Sequence, residues 1–111
     1  MKWNVRKSSE SEAAGMFILH VDVVLKAGLR EKFLSTFERE FTPAISVQPG
    51  YSSAILLKPT EADVGFDYRL VISFASHEAQ KAWVATDLHQ KVWPAMEAKI
   101  ERYKVLSFDS F

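Results

Sequence analysis

A single α+β domain in β-α-β-β-α-β order is what this 111-residue sequence predicts: the ferredoxin-like arrangement, a four-stranded antiparallel sheet with both helices on one face. Three observations carry the prediction. Residues 16–25 and 67–75 alternate with the two-residue period of a strand, and residues 29–41 and 76–100 carry apolar residues at helical spacing. Turn signals, Lys26-Ala27-Gly28 and Gln48-Pro49-Gly50, stand before the first helix and the second strand.

The first strand sets the two faces of the sheet. Phe17, Leu19, Val21, Val23 and Leu25 make one uniformly apolar row. The other row, Met16, Ile18, His20, Asp22 and Val24, mixes apolar groups with a histidine and a carboxylate, so it faces either water or polar partners. In the first helix Phe33, Phe37 and Phe41 recur every four residues beside Leu29 and Leu34, which gives one core stripe. Pro43 either kinks that helix or restarts it as a short turn. Residues 51–58 read as the second strand, 59–65 as a polar loop and 67–75 as the third strand. In the third strand Tyr68, Leu70, Ile72 and Phe74 face one way, and Asp67, Arg69, Val71 and Ser73 the other.

Ser76 is placed to cap the second helix, with Glu78 in its first turn. The helix is expected to break at Thr86-Asp87, where Asp87 and Gln90 have capping-box spacing. It continues with Val92, Met96 and Ile100 on an apolar face and with a bend at Pro94. Residues 103–108 read as the fourth strand. Residues 1–14 are polar and Ser/Glu-rich and read as a disordered tail in which Trp3 alone offers an anchor; residues 15–111 form the domain. With helices on one face only, an outer face carrying Ile18, Val24 and Val71 is poorly suited to water, and a second copy of the chain is expected to cover it as a homodimer.

Composition excludes several classes. Apolar residues make up 48% and charged residues 25%, the balance of an ordinary soluble domain. Fourteen basic residues oppose fourteen acidic ones, so no general field for nucleic acid or an anionic membrane exists. With no cysteine, disulfides, thiolate catalysis and Cys-type metal sites are all absent. The longest apolar run is too short to span a bilayer and the N-terminal residues lack the apolar core of a secretory signal, so the expected location is cytoplasmic.

The remaining chemistry concentrates in the second helical stretch. His89 and Trp93 are four apart and share a helix face. A histidine on such a face is either a general acid/base for a phenolic proton or a core histidine bonded to a carbonyl. Trp83 and Trp93 are either flat walls for an aromatic ligand or packing residues. His77, in the first turn of the helix, reads as a surface residue. His20, Asp22 and Arg69 form a second, polar cluster on the outer sheet face, a candidate network across a dimer interface. His20, His77 and His89 are too dispersed for a metal-ligand spacing.

The order of these features resembles the antibiotic-biosynthesis-monooxygenase-type domain: the strand 68–74, Ser76-His77-Glu78-Ala79, Trp83, Thr86-Asp87-Leu88-His89, and the Lys26-Ala27-Gly28 and Pro49-Gly50 turns, over residues 16–108. The resemblance implies a dimeric α+β barrel and a small monooxygenase-type oxidoreductase that needs no cofactor. It implies a pocket between the sheet and the second helix for an aromatic or quinol-like molecule. His89 would be the catalytic residue, and Trp83, Trp93, Phe74 and Phe37 would be substrate-binding walls. Other members of that family are haem-degrading enzymes. Trp83 matches their tryptophan, but Trp93 stands where they carry the ligating histidine and Val21 near their asparagine, so the resemblance does not extend to haem degradation. A non-catalytic dimer that binds a small ligand, or a purely structural dimer, uses the same fold and stays open at this stage.

Overall fold

β1 (Phe17–Leu25) runs through the middle of the sheet, pairing antiparallel with β3 (Tyr68–Phe74) on one side and β4 (Ile100–Asp109) on the other. β2 (Tyr51–Leu57) adds to the far edge of β3, giving the order β2-β3-β1-β4. This computed structural model describes residues 15–111; the predicted tail, Trp3 included, lies outside the described residues. The fold is the ferredoxin-like α+β arrangement that the sequence predicts. No helix among the described residues is long and apolar enough to cross a membrane.

The strand register explains why one face closes. Val23 opposes Tyr68, Val21 opposes Leu70, Leu19 opposes Ile72 and Phe17 opposes Phe74, so the apolar rows of the two strands coincide. Onto this surface pack Phe33, Phe41 and Ile45 from the first helical stretch and Trp83, Val92 and Met96 from the second, all buried. Each such side chain removed from water contributes about 1.5–3 kcal/mol before the entropy of ordering it is counted.

The first helical stretch is not one regular helix. α1 (Arg30–Thr36) passes into a π-helical turn (Phe37–Phe41) and then into α2 (Thr42–Ile45). The expected effect of Pro43 takes this form. Its ring has no N–H for the Arg39 carbonyl and crowds that oxygen. The turn upstream widens, and the Thr42 N–H reaches back five residues to the Phe37 carbonyl. Entry to α1 is set by Gly28, whose φ of +78° forms the turn closed by Leu29 N–H donating to Lys26 O at 3.2 Å.

The second helical stretch is broken as expected, but the cap differs. α3 (His77–Val84) begins at Ser76, whose Oγ accepts from Ala79 N–H at 3.1 Å. α4 (Asp87–Glu97) is capped by Thr86, not Asp87: Thr86 Oγ1 accepts from His89 N–H at 3.1 Å. Thr86 has the extended backbone an N-cap needs, whereas Asp87 is already helical. Gln90 does not close a capping box; its amide donates to Val84 O at 2.9 Å instead. Pro94 sits inside α4 on the exposed side.

β4 is longer than predicted and carries a bulge. Leu25 pairs with Ile100 and Val24 with Arg102, so Glu101 has no opposite residue. From Glu101 to Asp109 every residue of β4 is exposed. The outer sheet face is apolar at one end, where Ile55, Leu106 and Phe108 are 49%, 53% and 42% exposed. Arg69 and Asp22 occupy the other end in a two-point pair, Nε to Oδ1 at 2.7 Å and Nη2 to Oδ2 at 3.0 Å. Hydrogen bonding from Arg69, more than any other influence, holds the Asp22 carboxyl below its ordinary range. The pair is partly solvated and worth at most about 1 kcal/mol. His20 lies on the same face, its ring 4.8 Å from that of Phe108. His77 is exposed at the start of α3 and stacks on Phe17 at 4.3 Å.

Gly50 locks the β2 turn against α3. Its φ is +80°, its carbonyl accepts from Ala75 N–H at 2.7 Å, and a Cβ added there would lie 2.7 Å from the Ala79 Cβ. Gly50→Ala is therefore expected to destabilise the domain by about 2–3 kcal/mol in chemical denaturation, from left-handed strain plus the clash. Adding Ala79→Gly should recover the clash part but not the strain.

Candidate functional site

The break between α3 and α4 leaves a space over the inner sheet face that no side chain fills. The cavity measures about 250 Å³. Leu19 and Val21 of β1, Leu70 and Ile72 of β3, and Tyr103 and Val105 of β4 form its floor. Phe41 from the end of the π-helical turn, Gln80, Trp83 and Val84 from α3, and His89 and Trp93 from α4 form its walls and roof. It is larger than a cavity that holds one benzene, about 150 Å³, and smaller than the pockets of drug-sized ligands, roughly 300–1,000 Å³.

Three aromatic residues make one side. The buried Trp83 meets Phe41 edge-on at 6.1 Å and His89 edge-on at 5.0 Å. On the other side Trp93 meets Tyr103 edge-on at 5.5 Å. Edge-to-face pairs fix ring planes as well as positions, so the ring faces that remain free are set before any ligand arrives. Tyr103 OH donates to Glu97 Oε2 at 3.2 Å, and burial first, then that carboxylate, push the phenol's pKa up and keep it neutral.

Thr86 sets the position of His89. Its hydroxyl accepts from His89 N–H at 3.1 Å and donates to Trp83 O at 2.7 Å, so one side chain ties the last turn of α3 to the first turn of α4. The half-buried imidazole has its pKa lowered by desolvation, which favours the neutral ring. The Gln90 amide nitrogen lies 3.3 Å from His89 Nδ1, long for a hydrogen bond. Since an amide N–H only donates, this contact favours the neutral tautomer with Nδ1 free to accept and the proton on Nε2.

Of the residues named from the sequence, Trp83, His89 and Trp93 line this cavity together. Phe74 and Phe37 do not. Phe74 is fully buried beneath Tyr51 and Gly50, at the end of β3 where the helices close on the sheet. Phe37 stacks on Phe41 at 5.9 Å and packs against the core from outside the cavity. The π-helical turn decides this: the extra residue per turn leaves Phe41, not Phe37, as the first helical stretch's contribution to the wall. Tyr103, Gln80 and Phe41 were missed as wall residues. The alternation of Tyr103 and Val105 in β4 is the signal that places Tyr103 on the inner face. His20, Asp22 and Arg69 lie on the opposite face of the sheet. Among the described residues, no group of three or more His, Asp or Glu side chains is placed to hold a metal ion.

No protein-family model matches the chain, and no curated protein matches it. Solved structures do. A cofactor-independent oxygenase from Streptomyces nogalater, in a mutant form, shares 21% identity and a TM-score of 0.69 over 86% of this chain and 92% of its own. A candidate antibiotic biosynthesis monooxygenase from Caulobacter crescentus CB15 shares 17% identity and a TM-score of 0.74 over 87% and 91%. A conserved protein of unknown function from Bacteroides thetaiotaomicron VPI-5482, described as a possible oxidoreductase, shares 16% identity and a TM-score of 0.72 over 86% and 98%. At these identities the likeness is one of fold alone, the ferredoxin-like α+β arrangement described above.

Thr86→Ala is expected to cost about 1 kcal/mol of stability from the lost cap. It should also loosen the Trp83–His89 contact, read as a change in tryptophan fluorescence, whereas Thr86→Ser should preserve both.

Proposed function

We propose that this chain is a small monooxygenase-type oxidoreductase that acts on an aromatic, quinol-like molecule without a cofactor. The observation that carries the reading is the cavity itself, an aromatic-walled space with one half-buried imidazole whose pKa burial lowers. The fold shared with a cofactor-independent oxygenase supports it. Trp83, Trp93 and Phe41 would hold the flat ring by its faces and edges, and His89 would take a proton from it.

The chemistry balances with dioxygen as the only co-reactant. For a substrate with an activated ring CH₂ group, as in an anthrone, His89 removes one proton and leaves a delocalised carbanion. The carbanion gives electrons to O₂ and forms a C–O bond, and the resulting peroxide takes the proton back as a hydroperoxide. Loss of water then leaves a ring carbonyl, so one oxygen atom ends in the product and the other in water. The histidine supplies proton transfer, and the substrate supplies every electron. Nδ1 can take the proton by giving up its long contact with Gln90, at small cost for so weak a bond.

Oxygen consumption with a panel of anthrones and hydroquinones tests this. Turnover is expected for at least one, with His89→Ala lowering kcat by roughly 10²–10⁴-fold, the usual worth of a positioned general base. Because the base acts only when neutral and burial lowers its pKa from 6.5, kcat/KM should rise with pH through that lowered value and be level by neutrality. Wild-type rates in His89→Ala would remove the histidine from the mechanism. Ligand-induced thermal stabilisation without oxygen uptake would point to a binding module.

We propose also that the apolar end of the outer sheet face is covered by a second copy of this chain, making a homodimer. Ile18, Ile55, Val71, Leu106 and Phe108 form that surface across four hydrogen-bonded strands, and one such patch can meet its own copy about a two-fold axis. Sedimentation equilibrium is expected to give twice the chain mass. The double variant Leu106→Glu/Phe108→Glu should give the monomer, and a wild-type monomer at millimolar concentration would refute the interface.

A further inference from the structure

The outer sheet face changes character along its length, and its charged end is built as a groove. Register sets Arg69, Asp22 and Lys104 in one row across β3, β1 and β4, and Arg102 stands beside Lys104 on the same face of β4, opposite Val24. Three cations thus share this end of the face with one carboxylate. Asp22 is fully engaged by Arg69. Lys104 has no salt-bridge partner among the described residues, and Arg102 reaches only Glu101, at 3.7 Å between two well-exposed side chains. In a chain with equal numbers of acidic and basic residues, this local excess is not the average of the surface.

The groove has walls. The segment Val64–Gly65–Phe66 borders, with these residues and Tyr103, an open space of about 480 Å³. The Arg69 guanidinium lies over the Phe66 ring, 5.0 Å from its centroid, so it is held by an ion pair and a ring at once. Gly65, at φ +93°, turns the rim and leaves open space where a side chain would stand. The lining therefore combines the Asp22–Arg69 ion pair, two exposed cations, Tyr103, and the apolar surfaces of Phe66, Val64 and Val24.

We propose that this groove binds a small aromatic oxyanion, a carboxylate or phosphate carried on a flat ring. Arg102 and Lys104 hold the anion through charge-assisted hydrogen bonds, and the ring lies against Phe66. Asp22 keeps Arg69 in place and rejects a second anion on the β1 side. Its charged residues lie on the opposite sheet face from the Trp83–His89 cavity, Tyr103 of the edge strand β4 borders both spaces, and the proposal does not depend on any activity in that cavity.

Calorimetry on the full chain with benzoate, phenyl phosphate, inorganic phosphate and benzyl alcohol tests it, with amide chemical shifts locating the binding. Benzoate or phenyl phosphate is expected to bind at least roughly tenfold more tightly than benzyl alcohol, and phenyl phosphate more tightly than inorganic phosphate. Shifts should centre on Gly65 and Phe66. Arg102→Ala/Lys104→Ala, both exposed and expected to leave the melting temperature unchanged, should weaken binding tenfold or more, and Lys104→Glu should do the same. Undiminished binding in these variants, equal binding of the alcohol, equal binding of inorganic and phenyl phosphate, shifts confined to the Trp83 cavity, or no binding by either aromatic anion would each overturn the proposal. A response to the carboxylate alone or the phosphate alone supports it and names the anion.

Discussion

One hydroxyl group holds the candidate site open. Thr86 Oγ1 donates to the last carbonyl-bearing turn of α3 at Trp83 and accepts from the first turn of α4 at His89. An uninterrupted helix over residues 77–97 would run straight and lay its apolar face down on the sheet. The break separates α3 from α4 at Thr86, and residues of both helices on either side of the joint line the cavity. Because the same oxygen ties down the residues that carry the tryptophan and the histidine, their edge-on contact at 5.0 Å follows from backbone geometry and not from their mutual attraction alone.

The π-helical turn does the corresponding work on the other wall. Pro43 forces the preceding turn to widen, and the widening places Phe41 against Trp83. Both walls are thus built where a helix departs from its regular path, and each departure has a nameable cause, a missing N–H in one case and a side-chain cap in the other. The floor comes from the opposite kind of regularity. β1, β3 and β4 keep register through the cavity region, and the only irregularity between β1 and β4, at Val24/Leu25, lies beyond it.

The sheet's two faces divide the molecule's chemistry. The inner face is mostly apolar, and its two titratable wall groups, His89 and Tyr103, are both pushed towards neutrality by burial. On the outer face, apolar surface at one end gives way to Arg69, Asp22, Lys104 and Arg102 at the other. Interactions that would be weak on the inner face, where no counter-charge waits for an anion, are available here, and the apolar end is the part suited to burial against another copy. A one-residue slip between β1 and β4 would mix these two characters, which is why the register carries so much of the design.

The sequence by itself determined the fold class, the register-compatible rows of β1 and β3, the Gly28 and Gly50 turns and the helix break, because each rests on local periodicity or on backbone preferences that neighbours along the chain already fix. It also brought Trp83, His89 and Trp93 to attention, since their spacing along one broken helix is local too. It misplaced the cap by one residue, since Thr86 and Asp87 are both good caps and only the observed backbone angles choose between them. Tertiary structure alone decided that Phe41 and Tyr103 line the cavity while Phe37 and Phe74 do not, and that Lys104 and Arg102 meet Arg69 and Asp22. Those outcomes depend on which turn of a helix widens and on pairing between strands some eighty residues apart, and neither is written in the pattern of any one segment.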